Sequence, residues 1–127
     1  MKYKYLLYSS VSEIDKINVY DILKVAREEN KKFGITGFLI CHLGGFYQLI
    51  EGKESNINQL YHNISTDERH SDVNMIIVGE REERFFPDWQ MGYVRIEEDI
   101  FSQWNNIKDK DLVLNEFIST AQSSLQF

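Results

Sequence analysis

The hydrophobic residues of this chain follow two different spacings, and each spacing predicts one kind of element. Short runs rich in β-branched and aromatic residues predict five strands. These strands cover residues 2–10, 35–41, 46–52, 73–80 and 89–94. The fourth run, "VNMIIVGE", is apolar on both faces, which favours a central place in the sheet. The "HLGG" segment predicts a tight turn between the second and third strands.

Apolar residues at intervals of three and four predict helices between the strands and at the C-terminus. The first helix should run from about residue 13 to 32, with Ser12 as its N-cap and Gly34 ending it. The second can begin at Ser55. The three apolar stripes are Val19, Leu23, Ala26 and Phe33; Ile57, Leu60, Tyr61 and Ile64; and Leu114, Phe117, Ile118, Ala121 and Leu125.

The order of these elements, β-α-β-β-α-β-β, predicts an α+β fold of the ferredoxin-like type. We expect a sheet with two helices on one face and the C-terminal helices elsewhere. A chain of 127 residues with 43% hydrophobic residues is long and apolar enough to bury a core as one domain.

Composition narrows the function classes further. A net charge of -6 argues against a nucleic-acid partner, since binding to phosphates requires a basic surface. No apolar run has the length of a membrane span, and no signal peptide is visible. Cys41, the single cysteine, excludes an internal disulfide and fits a reducing compartment. We therefore expect a cytoplasmic protein that contacts neither nucleic acid nor membrane.

Three polar residues stand where apolar ones are expected. Alternation puts Gln48 on the same face of its strand as Phe46 and Ile50, and it puts Tyr8 on the same face of the first strand as Leu6. Asn30 falls within the apolar stripe of the first helix. Each has an ordinary explanation: a glutamine on an edge strand, a core tyrosine whose hydroxyl reaches water, and an asparagine bonding nearby backbone at a helix end.

Taken together, the three residues favour a binding site. If both helices cover the face that carries Tyr8 and Gln48, these side chains converge with Asn30 between helix and sheet. A phenol and two amides suit a flat, neutral ligand that forms hydrogen bonds. They do not suit a metal, which prefers carboxylate, imidazole or thiolate ligands.

Five segments in order carry a resemblance to a known family. They are "LLYSS", "AREENKKFGITGFLI", "FYQLIEG", "DERHSDV" and "RFFPDWQMGY", and together they extend over about residues 3–94. In this order and spacing the chain resembles the BLUF family of blue-light sensors that use a flavin.

The resemblance implies a flavin held non-covalently between the two helices. FAD is the expected form, with FMN and riboflavin as alternatives. Asn30 would bond the pyrimidine edge of the ring, and Gln48 would lie between Tyr8 and the ring. Arg69 and His70 would lie along the ribityl and phosphate side. The same resemblance places Trp89 and Met91 beside the site, so that the expected cofactor-binding residues are Tyr8, Asn30, Gln48, Arg69, His70 and Met91.

The resemblance also implies a mechanism without enzymatic turnover. Light would drive transfer of an electron and a proton from Tyr8, after which Gln48 would be left with rearranged hydrogen bonds. Alternation on the fifth strand puts Trp89, Met91 and Tyr93 on one face, so we expect the signal to leave through that strand. The photoactive residues would be Tyr8, Gln48, Trp89 and Met91. An acid at Glu29, beside the site, is expected to change flavin binding or dark recovery.

We expect residues 1–96 to form the flavin-binding sensor and residues 97–127 a C-terminal helical extension of the same compact unit. Output would pass by contact to a downstream regulatory protein, and self-association is expected. One alternative stays open on the residues alone, a cofactor-free ferredoxin-like module for dimerisation or small-metabolite binding. A third possibility, an acylphosphatase-like hydrolase on the same fold, is disfavoured because the sequence lacks the glycine-flanked phosphate loop and its paired arginine.

Overall fold

The computed structural model describes residues 2–11, 16–42, 45–66, 71–97 and 99–124. Within these ranges there are five strands and four helices. The strands are β1 Tyr3–Val11, β2 Thr36–His42, β3 Gly45–Gly52, β4 Ser71–Arg81 and β5 Gly92–Arg95. The helices are α1 Lys16–Phe33, α2 Glu54–Thr66, α3 Ile100–Asn105 and α4 Lys110–Ser124.

The predicted α+β, ferredoxin-like architecture is confirmed. The five strands form one sheet in the order β4-β1-β3-β2-β5, antiparallel except for the β2–β5 pair. β3 therefore lies at the centre, between β1 and β2. In its register with β1, Tyr8 stands opposite Gln48, and Ser9 opposite Tyr47. Because side chains alternate along a strand, these two neighbouring pairs point to opposite faces of the sheet.

The prediction that the fourth strand is central was wrong. β4 is an edge strand of the described sheet, paired with β1, and Met75 and Val78 are 47% and 45% exposed. Its other apolar residues explain the misleading pattern. Val73 packs against the cluster on one face, whereas Ile76 and Ile77 pack against the cluster on the other. Helices thus partly cover both faces of this strand, while its outer edge has no partner strand among the described residues.

The fifth strand begins later than predicted. β5 starts at Gly92, and residues 82–91 form an irregular segment, called here the connector. The Trp89 amide donates to Phe86 O at 3.3 Å, and Trp89 O accepts from the Gly37 amide at 3.0 Å. Met91 and Tyr93 pack in the same apolar cluster, whereas the Trp89 ring contacts Phe38 in the cluster on the other face, so the prediction of a shared face was wrong for Trp89.

The helix ends agree with the sequence in part. α1 ends at Phe33, where Gly34 adopts a φ of 65°, a conformation that favours glycine. The predicted cap at Ser12 lies outside the described residues. α2 begins at Glu54, and the Ile57 amide donates to Lys53 O at 3.0 Å. Ser55 is therefore inside the first turn, so the predicted cap at Ser55 was wrong.

Each face of the sheet carries its own apolar cluster. The α1/α2 face buries Leu6, Tyr8, Leu23, Ile35, Leu39, Ile50, Ile57 and Met91. The α3/α4 face buries Leu7, Phe38, Ile40, Tyr47, Leu49, Phe86, Trp104, Val113, Leu114, Phe117 and Ala121. The C-terminal stripe is confirmed for Leu114, Phe117 and Ala121, with Ile118 partly buried; Leu125 lies outside the described residues. The division at residue 96 stays a prediction.

Candidate functional site

Tyr8 and Gln48 meet on the α1/α2 face through a direct hydrogen bond. Their positions oppose each other in the β1–β3 register, and the Tyr8 hydroxyl donates to Gln48 Oε1. The other end of the amide is also engaged, because Gln48 Nε2 lies 3.2 Å from Met91 Sδ and donates to it. Gln48 is half-buried and Tyr8 is buried. The Gln48 amide therefore links the central strand β3 to the end of the connector.

Asn30 reaches the same end of the connector from α1. Its side chain is 2% exposed, and Nδ2 donates to Gln90 O at 2.7 Å. The main-chain oxygen of Asn30 accepts from the Ile35 amide at 2.8 Å, where the helix ends. The ordinary explanation, a side chain bonding nearby backbone, therefore does not hold: the bond crosses to a residue 60 positions away.

Tyr8 remains a neutral hydrogen-bond donor in this environment. Burial raises the pKa of the Tyr8 hydroxyl well above its ordinary value, and the neighbouring Tyr61 raises it further. The Tyr8 ring packs edge-on against Tyr61 and Phe46, at centroid distances of 5.9 and 6.5 Å. A phenol with a raised pKa keeps its proton across the physiological range and can therefore donate to Gln48 Oε1.

Not every predicted site residue joins this group. Trp89 is 41% exposed, and its ring lies 6.5 Å from that of Phe38, which belongs to the α3/α4 cluster. Met91, by contrast, is buried in the α1/α2 cluster. Arg69 and His70 lie outside the described residues. Glu29 is exposed on α1 and pairs with Lys32 at 3.4 Å.

Arg27 was missed by the sequence interpretation. Its Nε donates to Met91 O at 2.9 Å, so α1 holds two successive carbonyls of the connector, those of Gln90 and Met91. Its spacing from Asn30 could have indicated a place near the site, because Arg27 lies three residues before Asn30 and side chains three apart share one side of a helix. Spacing alone could not identify the partner, because that depends on the connector's path.

The side chains gathered here fit a flat heteroaromatic ligand. A phenol and two amides offer donors and acceptors without net charge. The bond from Asn30 to Gln90 O uses one of the two N–H groups of its amide. A buried amide, which has both N–H donors and an acceptor oxygen, suits an edge that carries both a carbonyl and an N–H. Among the described residues, no group of three or more metal-ligating side chains occurs.

The fold and the site together define a class: a ferredoxin-like α+β domain whose two-helix face carries a phenol and two amides. The BLUF family model, described as "Sensors of blue-light using FAD", matches residues 3–92. The chain therefore belongs to the BLUF family, whose domains are flavin-binding blue-light sensors.

Curated and solved relatives agree with this assignment. The chain is 34% identical over 90 residues to a photoactivated adenylate cyclase subunit alpha of Euglena gracilis, a match that covers 68% of this chain and 9% of that protein. The solved dark-state structure of BlrB, described as a BLUF protein, has a TM-score of 0.84 at 27% identity and covers 97% of each chain. The photo-activated state of BlsA has a TM-score of 0.78 at 26% identity, covering 95% of this chain and 94% of that one.

The match to the cyclase subunit is confined to a small part of that protein, so its cyclase activity is not carried over to this chain. The match to BlrB extends over nearly all of both chains, and it supports the fold of the C-terminal helices as well as that of the sheet. No helix within the described ranges combines the length and hydropathy needed to cross a membrane.

Proposed function

We propose that this chain is a blue-light photoreceptor that holds FAD non-covalently between α1 and α2 and signals through a rearrangement of Gln48. One observation carries the proposal: both ends of the Gln48 amide are engaged, with Oε1 accepting from Tyr8 and Nε2 donating to Met91 Sδ. An amide is the side chain that presents an acceptor at one end and a donor at the other. Exchanging its ends changes both contacts without moving the backbone.

When bound, the flavin supplies absorption of blue light and the capacity to accept an electron in its excited state. Tyr8 suits the role of donor because its phenol can release an electron and a proton together. The proton has a direct route along the hydrogen bond from Tyr8 Oη to Gln48 Oε1. Return of the electron and the proton to Tyr8 restores the phenol, so no covalent bond changes over the full cycle.

What remains after this cycle is the arrangement of Gln48. A half-turn of the amide brings Nε2 towards Tyr8 and Oε1 towards Met91. An oxygen facing the Met91 sulfur replaces a donor–acceptor contact with one between two acceptors. The contact between Gln48 and Met91 should weaken, and Met91 directly precedes β5. The rearrangement therefore biases the end of the connector, which gives the two-state element that a switch requires.

The flavin would be held by Tyr8, Asn30, Gln48 and Met91, with Arg69 and His70 towards the ribityl and phosphate side. Asn30 supports this assignment because its buried amide carries both N–H donors and an acceptor oxygen. FAD is proposed because the family description names it. FMN and riboflavin share the ring that these side chains would contact, so extraction of the pigment and mass spectrometry are needed to identify the form.

Output is proposed to pass by protein contact to a downstream regulator in the cytoplasm, with self-association of the sensor and without catalysis by this domain. The matched region is a small part of a photoactivated adenylate cyclase subunit. This supports a sensory role for the present chain, with any catalysis carried out by a different domain or protein. The acidic net charge of -6 supports a protein partner over nucleic acid.

The proposal is tested by absorption spectroscopy of protein loaded with FAD in the dark. Wild type should be yellow and shift its absorption reversibly under blue light. Gln48→Leu and Tyr8→Phe should retain the pigment and lose the shift. Gln59→Leu is a matched control, since Gln59 is an exposed glutamine on α2 that bonds Asn63. A normal shift in Gln48→Leu would overturn the assigned role, and a chain that cannot be loaded would favour the cofactor-free alternative.

A further inference from the structure

Two groups of the connector accept hydrogen bonds from the side chains of the site. Gln90 O accepts from Asn30, and Met91 Sδ accepts from Gln48. Gln48 donates to the Met91 sulfur in only one of the two orientations of its amide, so the position of the sulfur affects the rate at which Gln48 returns to that orientation. Whatever holds the connector in place therefore determines the geometry of the switch.

A buried carboxylate holds the start of the connector. Glu51, three residues after Gln48 on β3, is 1% exposed. Its Oε1 accepts from the Phe85 amide at 2.7 Å, and its Oε2 accepts from the Phe86 amide at 2.8 Å. The Thr36 hydroxyl also donates to Oε2, at 2.8 Å. A charged group is rarely buried this deeply without strong hydrogen bonds, and these bonds join two strands to the connector.

Arg84 closes the same network from the connector side. Its Nη1 donates to Thr36 Oγ1 at 2.9 Å and lies 3.4 Å from the main-chain oxygen of Glu51. Phe86 is buried next to this network, and its ring lies 5.3 Å from that of Phe38. Both the backbone and a side chain therefore fix the connector at residues 84–86.

The path from this anchor to Met91 is short and hydrogen-bonded. Phe86 O accepts from the Trp89 amide, and Trp89 O accepts from the Gly37 amide. Arg27 then bonds Met91 O. A displacement of the backbone at residues 85 and 86 can thus be transmitted to Met91 through five intervening peptide bonds whose other anchors lie on β2 and α1.

We propose that Glu51 is a positioning residue of the photoswitch: its carboxylate holds the connector so that Met91 Sδ stays within hydrogen-bonding reach of Gln48. This inference rests on the proposed role of Gln48. A carboxylate is required because both of its oxygens accept. The amide of a glutamine at this place has one acceptor oxygen, and its NH₂ group would face the N–H of Phe85 or Phe86, placing donor against donor.

The test is the rate of dark recovery in Glu51→Gln, measured in two backgrounds. In the wild-type background, Glu51→Gln should change the rate at least about threefold, the scale expected for residues coupled within one network. In a Met91→Leu background, which lacks the sulfur, Glu51→Gln should have little further effect. Glu80→Gln on β4 is a matched control, since Glu80 is exposed, and it should leave the rate unchanged in both backgrounds.

A merely structural role for Glu51 predicts a different result, namely the same factor in both backgrounds, and that outcome would overturn the inference. If Glu51→Gln does not fold or does not bind FAD, Thr36→Val replaces it. This variant removes the hydroxyl that donates to Glu51 Oε2 and accepts from Arg84 Nη1, and it keeps the carboxylate and its bonds to the Phe85 and Phe86 amides. It should change the rate in the same direction by a smaller factor, again only when Met91 is present; an unchanged rate in folded Thr36→Val would also overturn the inference.

The outcomes separate this inference from the proposed function. If wild type shows no light-induced shift, or Gln48→Leu shifts normally, the proposed function fails. If those two behave as proposed and Glu51→Gln acts equally with and without the Met91 sulfur, only the positioning role fails.

Discussion

The two faces of the sheet place the same chemical pair in different surroundings. On the α1/α2 face, Tyr8 donates to the amide of Gln48; on the α3/α4 face, Tyr47 donates to the amide of Asn105. The other end of the Gln48 amide donates to Met91 at the end of the connector. Asn105, in contrast, is the last residue of α3, so its bond ties a short helix to the centre of the sheet.

The packing around the two pairs differs as well. Tyr47 contacts Trp104 edge-on at 5.0 Å, and Trp104 lies 6.2 Å from Phe117 of α4. This continuous aromatic packing joins the C-terminal helices to the sheet. Around Tyr8, apolar residues are interrupted by the amides of Asn30 and Gln48. The comparison indicates that the α3/α4 face contributes most to stability, whereas the α1/α2 face retains the polar groups that a switch needs.

The largest effect should come from removing a ring on the α3/α4 face. Phe117 is fully buried, and Phe117→Ala should lower the free energy of unfolding by about 3–5 kcal/mol through lost burial and a residual cavity. Tyr8→Phe on the other face keeps its ring and loses one hydrogen bond, so it should cost about 0.5–1.5 kcal/mol. Urea unfolding of both variants without flavin measures the contrast. Equal losses would contradict the assignment of stability to the α3/α4 face.

The free energy of unfolding should fall at alkaline pH because of the buried phenol of Tyr47 on the α3/α4 face. Burial raises the pKa of Tyr47 from 10.0 to about 12. Because the folded protein holds this proton more strongly than the unfolded chain, Tyr47 contributes stability fully below pH 10, and this contribution is lost as the pH rises towards 12. Tyr8, whose pKa burial also raises, acts with the same sign.

Tyr47→Phe separates the two phenols. The variant should have a shallower loss of stability between pH 10 and 12 than wild type, and the remaining loss should include the Tyr8 contribution. Urea midpoints measured across this range provide the test. Identical pH dependence in wild type and Tyr47→Phe would show that Tyr47 does not carry the expected effect.

The two connector residues near the site should differ in their effect on the photocycle. Met91 is buried and accepts from Gln48, whereas Trp89 is partly exposed and contacts the α3/α4 cluster. Met91→Leu should change dark recovery at least about threefold, since it removes a contact of the proposed switch residue Gln48. Trp89→Phe, which keeps an aromatic ring, should change the rate less than Met91→Leu does. The reverse order would assign the switch contact to Trp89.

The smallest effect should come from the surface pair on α1. Glu29 and Lys32 are both more than half exposed, at 51% and 67% of their side chains. Glu29→Gln should change the free energy of unfolding by no more than about 0.5 kcal/mol, as is usual for exposed ion pairs. The same variant tests the expected influence of Glu29 on dark recovery, with Lys32→Gln as the control that breaks the same pair. A change of rate in Glu29→Gln alone would attribute the effect to the acid itself.

Local spacing was sufficient to predict much of this molecule. Period-two alternation placed Tyr8 with Leu6 and Gln48 with Ile50 on their own strands, and helical spacing identified the buried residues of α4, such as Phe117. These assignments were successful because a side chain's direction on a strand or helix depends on its own few neighbours along the chain. The mismatch between the polar character of Gln48 and its apolar neighbours was likewise visible without a structure.

Other features depended on pairings between residues distant in sequence. Alternation could not show that β4 lies at an edge, because apolar residues on both faces also occur where helices partly cover an edge strand. It could not place Trp89 and Met91 on different sides of the sheet, since the connector's hydrogen bonds to β2 and α1 determine its path. The carboxylate of Glu51 and the guanidinium of Arg27 act on that path, and only the tertiary structure brings their partners, 34 and 64 residues away, within bonding distance.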